Sequence, residues 1–328
     1  MALEALRHAA AAELQLFVKD QGSDFPAIDW VWRALRTRGK LLGPQGSFCW
    51  GLLPPLACQA AGGDPQQALL LSVALECAIA AADALDDVQD QDAADALWRS
   101  CGLATATNTA TFLLFLSQLA VVRLSDRGLS DEKVVELVRS FAAAGAKACS
   151  GQQRDLDQSP SSDVDESQYL SRIAEKSASL ARWACRSGAM LGCDALQAVE
   201  PLSEFGFNLG MALQIGNDLA ALTSDGEDRA DLRSGNRTLP IVFALDHASE
   251  PDRMELAGFL STSDLSVLPA KRMDRAREIV VASGALLYTA VMADVYWEHA
   301  LSCLEYVDRD RAGPLLDLLT RMRSSRRG

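Results

Sequence analysis

The sequence predicts an all-α protein, a single antiparallel helical bundle spanning residues 1–328. Three observations carry that prediction. Apolar residues recur at helical spacing almost throughout, and no convincing strand-like alternation appears. Alanine and leucine dominate, aromatic residues make up only 6%, and runs of β-branched residues are rare. No break in composition marks a second domain, and no internal repeat is evident. With 49% hydrophobic residues, a chain of 328 can fill one large core.

The elements follow in order. An opening helix is expected over 3–19 and a short one over 28–36. The stretch 39–51 holds four glycines and Pro44, so it reads as a loop. Gly62 and Gly63 stop the next helix, and Asp64 caps a new one with Pro65 at its first position. That helix runs to about Asp90. Further helices are expected at 104–124, 130–153, 166–191, 196–222 and 239–248, then at 252–260, 269–282, 285–306 and 313–323. Ser130 caps one of them, with Asp131 and Glu132 at the favourable end of the helix dipole. Polar stretches at 155–165 and 223–236 interrupt the pattern.

Composition also excludes functions. A net charge of −13 and a pI near 4.7 argue against a nucleic-acid binder, which needs a basic stripe. Eight scattered cysteines without a CxxC pair read as core thiols, not a disulfide framework. Residues 1–19 lack the basic-then-apolar order of a signal peptide, so the cytoplasm is the expected location. The most apolar stretch, 68–85, is broken by Glu76 and Asp83 and reads as a buried helix, not a membrane span.

Two acidic helix ends carry the chemistry. Asp83, Asp87 and Asp90 fall at i, i+4 and i+7, and Asp86 and Asp90 are also one turn apart. Crowding carboxylates at a helix C-terminus is unfavourable unless a cation or solvent relieves it. Mg2+ suits the place, since it takes one or two carboxylates and fills its octahedron with water and phosphate oxygens. A solvated acidic helix end is the other reading. The second constellation is Gln214, Asn217, Asp218 and Asp225, ending a helix whose earlier turns are apolar. Alone, Asn217-Asp218 reads equally as capping chemistry. Two such ends in one helical chain can clamp a diphosphate between metal ions.

These residues resemble the trans-isoprenyl diphosphate synthase (polyprenyl synthetase) superfamily, over roughly 39–245. Asp86-Asp87-Val88-Gln89-Asp90 looks like its first DDxxD motif, preceded by an A-x-E at Ala74-Leu75-Glu76. Lys176-Ser177 resembles its K-T segment, and Gln214 to Asp218 its second aspartate motif. The run from Asp231 through Arg237 to Pro240 is very like its D-L-x-x-G-K-x-T-L-P. The resemblance implies an isoprenoid-synthase bundle with a central prenyl cavity, Mg2+, a prenyl diphosphate substrate and a homodimer. It places metal at Asp86, Asp87, Asp90, Asn217, Asp218 and Asp225, and substrate contacts at Lys40, Lys176, Gln214 and Arg237. Asp86, Asp90, Lys176 and Asp218 are the implied catalytic set.

The departures bear on the acceptor. The family holds isopentenyl diphosphate with G-G-K-R-L-R-P, where this chain reads Arg38-Gly39-Lys40-Leu41-Leu42-Gly43-Pro44. The family histidine aligns with Ile79, and its R-R-G with Asp95-Ala96-Leu97, which carries no positive charge. A second diphosphate needs such donors. Asn217 and Asp225 fall at the spacing of class I terpene cyclases, with Ala221 in place of the family serine. The leading expectation is therefore a terpene synthase acting on farnesyl or longer chains, because residues 78–82 are small apart from Ile79. Phe112, Phe115, Trp183, Phe205 and Phe207 are candidates to stabilise the cation, beside a plain core role. The alternative is a prenyltransferase to an aromatic or peptide acceptor, as in peptide-tryptophan prenyltransferases. Chain elongation and a non-catalytic partner subunit rank lower.

Overall fold

The computed structural model describes residues 2–44, 48–90, 95–157, 164–223, 236–262 and 270–327. Among the described residues the chain is helical with no strand. Helices α1 (Leu3–Gln21) and α2 (Ile28–Leu35) precede the loop that carries Lys40. Helix α3 (Leu53–Ala60) ends at Gly62, which takes φ +101°, while the N–H groups of Gly62 and Gly63 reach back to Gln59 and Cys58. Asp64 then accepts from Gln66 N at 3.0 Å, a short 3-10 turn follows, and α4 (Leu69–Asp90) begins. The expected stop and start both hold.

Helices α5 (Leu97–Cys101), α6 (Leu103–Val122) and α7 (Asp131–Leu156) come next. One turn of α5 is too short for periodicity to reveal. The single helix expected over 166–191 is two, α8 (Glu166–Ile173) and α9 (Ser179–Gly192), joined by a π-helical turn at Ala174–Ala178. A capping box at Asp165 and Gln168 starts α8. The remainder is α10 (Leu196–Thr223), α11 (Leu239–His247), α12 (Glu250–Leu260), α13 (Ala270–Ala282), α14 (Ala285–Cys303) and α15 (Arg309–Arg327).

The chain groups into two compact units, each assembled from separate stretches. The first comprises Met1–Ala143, Leu180–Gly206 and Leu301–Gly328. Its centre is α4, buried on every side from Leu69 to Ala78 and packed along α6, which presents small residues such as Ala106 and Ala110. A Cβ at Gly188 would lie 2.0 Å from the Pro54 carbonyl oxygen, so α9 touches the backbone of α3 there. All eight cysteines are free, and burial pushes the Cys49 and Cys58 thiols up to about 12, which makes them inert.

By length and composition, Pro65–Asp90 and Leu103–Arg127 are both long and apolar enough to cross a membrane. The apolar window of the first is 78% buried inside the fold, in keeping with a core helix, and that of the second 44%.

The second unit comprises Ala144–Ser179 and Phe207–Ala300. One apolar cluster joins Leu222, Ile241, Leu256, Phe259 and Ile279. Arg277 Nε donates to the Leu222 carbonyl at 3.1 Å and so caps the end of α10. The other cluster, with Tyr169, Ile173, Met211, Ile215 and Leu239, supports the polar groups of the site.

Candidate functional site

In the first unit the site begins with a buried carboxyl. Glu76 accepts from Leu41 N at 2.7 Å and from Gly51 N at 2.9 Å, fastening the Lys40 loop to α4. Burial pushes its carboxyl up to about 7, against the pull of those two N–H groups and of Lys40. Lys40 itself is only 3% exposed and donates its ammonium to Asp83. Helix α4 opens beyond Ala78: Ile79 is half-buried, Ala82 and Asp83 are exposed, Asp86 and Asp87 are half-buried, and Asp90 is exposed. The open side thus starts at Ile79 and leads along the helix to the acidic motif.

Among the described residues, no three His, Cys, Asp or Glu side chains gather closely enough to form a metal cage by themselves. Asp86 and Asp90, one turn apart at the open end of α4, are a carboxylate pair that could hold Mg2+, an ion that needs only one or two carboxylates beside water and phosphate oxygens.

In the second unit a chain of polar contacts surrounds Lys176. Lys176 Nζ donates to Asp155 Oδ2 at 2.9 Å, and Arg172 Nη1 donates to the other oxygen of Asp155 at 2.6 Å. Arg172 Nη2 donates to the Arg237 carbonyl at 2.9 Å, and its guanidinium lies 5.4 Å from the Tyr169 ring centre. Tyr169 donates its hydroxyl to Asp218 Oδ2 at 2.5 Å, and Gln214 Nε2 donates to Asp218 Oδ1 at 2.9 Å. Ser177 completes the path by donating to Gln214 Oε1 at 2.8 Å. Burial pushes the Asp218 carboxyl up to about 6, opposed by the Tyr169 and Gln214 donors. A Cβ at Gly151 would meet Lys176 N at 2.4 Å, so only glycine lets α7 lie against the turn that carries Lys176.

The structure therefore brings together Lys176, Gln214, Asp218 and the backbone of Arg237, whose side chain is also buried. It does not bring Asn217 and Asp218 to one face: Asn217 is exposed while Asp218 is buried, as a step of about 100° along a helix requires. Asp225 lies outside the described residues. Among the aromatic candidates, Phe115 is 65% exposed, Trp183 packs on Phe141 with its N–H bound to Ser140, and Phe205 is plain core. Asp155, Tyr169 and Arg172 escaped the sequence reading. Tyr169, Arg172 and Lys176 share one helix face at i, i+3 and i+7, which was the available signal, whereas Asp155 fell in a stretch read as a break.

The class is that of the all-α isoprenoid synthase fold. A geranylgeranyl pyrophosphate synthase structure matches with a TM-score of 0.84 over 98% of this chain and 99% of that one, at 21% identity. The polyprenyl synthase of Caulobacter crescentus complexed with calcium and isoprenyl diphosphate matches at 0.81, over 97% and 95%, at 23% identity. Residues 39–271 match the polyprenyl synthetase family, and the chain belongs to it. Among curated relatives it is 29% identical to the short chain isoprenyl diphosphate synthase of Methanothermobacter thermautotrophicus, over 87% of this chain and 88% of that protein. It is 30% identical to a geranylgeranyl diphosphate synthase of Mycobacterium tuberculosis, over 84% and 79%. It is also 24% identical to the tryptophan prenyltransferase of Bacillus subtilis, over 74% and 76%.

Proposed function

We propose that this chain ionises an allylic prenyl diphosphate, farnesyl or longer, and transfers the prenyl group, working with Mg2+ as a cytoplasmic homodimer. The observation that carries this reading is Lys176, an ammonium fixed on a π turn beside Arg172, Asp155 and Gln214. Asp86, Asp90 and Asp87 would hold metal in the first unit, and Asn217 and Asp225 in the second. Bound magnesium supplies Lewis acidity to the departing diphosphate. Lys176 and Arg237, both in the second unit, would contribute positive charge to a diphosphate bound there. A second copy of the chain suits α6, where Leu103, Leu114, Phe115 and Val122 leave apolar surface exposed.

Relatives named as prenyl diphosphate synthases weight the reading toward chain elongation, ahead of the terpene cyclisation that the sequence departures favour. One observation supports the second reading. Lys40, the family lysine that the altered G-G-K-R-L-R-P segment keeps, is bound by Asp83. An acceptor without a diphosphate, whether the prenyl chain itself or an aromatic side chain, then needs no cation there. The test is mass spectrometry of products from farnesyl and geranylgeranyl diphosphate with Mg2+, with and without isopentenyl diphosphate. A longer prenyl diphosphate means elongation, and a hydrocarbon or terpene alcohol from the allylic substrate alone means cyclisation. Diphosphate release only with an added tryptophan peptide means aromatic transfer. No diphosphate release under any condition rejects the proposal in favour of a non-catalytic partner subunit.

A further inference from the structure

We propose that Asp218 is a positioning residue and not a metal ligand: clamped by Tyr169 and Gln214, it fixes the turn that presents Lys176 to a diphosphate. The inference rests on the diphosphate-binding reading above and assigns the roles within it. Both oxygens of Asp218 are already engaged, Oδ2 by the Tyr169 hydroxyl at 2.5 Å and Oδ1 by Gln214 at 2.9 Å. The residue is 6% exposed, and Tyr169 is fully buried. Its neighbour Asn217, by contrast, is exposed.

Two chains of contacts link Asp218 to the turn that carries Lys176. Along one, Gln214 spans from Asp218 to the Ser177 hydroxyl, and Ser177 adjoins Lys176 on the π turn Ala174–Ala178. Along the other, Tyr169 lies under Arg172, which shares the carboxylate of Asp155 with Lys176. Isolated π turns tend to mark functional positions, and this one is pinned on both sides. The backbone beside it is also fixed, because α7 rests against Lys176 N at Gly151. A cation held this way needs little reorganisation when an anion arrives, which is the condition for strong electrostatic stabilisation.

Two affinities separate a positioning residue from a ligand. The first is for inorganic diphosphate in EDTA, by calorimetry. The second is for Mn2+ in saturating inorganic diphosphate, by paramagnetic resonance of the free ion. Tyr169→Phe and Asp218→Asn are expected to weaken metal-free diphosphate binding about tenfold while Mn2+ affinity stays within about twofold. In a Lys176→Gln background the Tyr169→Phe loss is expected to vanish, since both act along one route. Losses that add in the double variant overturn the proposal. So does an Mn2+ affinity that falls about tenfold in Asp218→Asn with metal-free binding unchanged, which makes Asp218 a ligand. A lowered melting temperature with both affinities intact reduces the network to a structural role and also overturns it. If the wild-type chain binds no inorganic diphosphate under either condition, the underlying reading fails first.

Discussion

The ammonium of Lys40 is buried and bound to the carboxylate of Asp83, one turn ahead of Asp87 on α4. The two partners differ in setting, because the Asp83 side chain is 59% exposed while that of Lys40 is 4% exposed. A lysine left in so closed a place needs a partner, and Asp83 supplies one from within the chain. Its positive charge is therefore neutralised at the start of the open face of α4, before any ligand arrives.

Asp83→Asn keeps an acceptor for Lys40 and removes the neutralising charge. Incorporation of isopentenyl diphosphate is expected to rise, with KM falling about tenfold, as befits a charge-assisted contact restored. Steady-state kinetics with farnesyl diphosphate as partner check this. An unchanged KM means that Asp83 has no part in choosing the acceptor.

Glu76 gives a pH dependence of definite sign. Its folded pKa of about 7 lies above the ordinary 4.5, so the native state binds the proton more tightly. The resulting stability is fully present below about pH 4.5 and is lost as pH rises to about 7. The stability of wild type relative to Glu76→Gln is expected to fall over that interval, by an amount on the order of 3 kcal/mol. Urea melts of both proteins across pH 4–8, taken as a difference to cancel other carboxylates, measure it. A difference that grows with pH reverses the assignment.

Local chemistry was legible in the sequence where neighbours in the chain decide it. Asp64 with Pro65, the Gly62-Gly63 stop and the long apolar run of α4 are written in adjacent residues, and each appears where expected. Contacts over long separations were not legible: Lys40 meets Asp83 across 43 positions, and Tyr169 meets Asp218 across 49. Asn217 and Asp218 looked like one motif because they are adjacent in sequence, yet adjacency on a helix places two side chains on different sides. The π turn was invisible for another reason, since its residues have the same helical periodicity as their flanks.

Asp86→Ala and Asp90→Ala address the metal reading. Each is expected to abolish diphosphate release from an allylic substrate while leaving far-ultraviolet dichroism unchanged, because the end of α4 is partly open to solvent. The thermal stabilisation that Mg2+ and inorganic diphosphate give the wild type is expected to disappear in both. Retained stabilisation with lost release moves Asp86 and Asp90 from metal binding to some other step.

Phe115 is 65% exposed on α6, beside Leu114 at 37%. If this face meets a second copy, Phe115→Glu buries a charge at that contact and weakens the dimer about tenfold or more. Light scattering across a dilution series reads the change. A chain that is monomeric before the substitution removes the need for it.

Gly151 makes the most local demand on the site. A Cβ there would sit 2.4 Å from Lys176 N and 2.9 Å from both Lys176 Cα and the Arg172 carbonyl oxygen. These are backbone atoms with no rotamer to change, so in Gly151→Ala helix α7 has to move outward. Asp155, one turn further along α7, moves with it and loosens its hold on Arg172 and Lys176. The expected cost is roughly 1–3 kcal/mol of stability, together with a rise in KM for the allylic diphosphate as Lys176 loses its fixed position. Gly145 lies on the same helix with open space around its would-be Cβ. Gly145→Ala should therefore stabilise the chain slightly, by about 0.5–1 kcal/mol, through helix propensity alone. Should the two substitutions behave alike in melts and kinetics, the close approach of α7 to Lys176 is not what holds the ammonium in place.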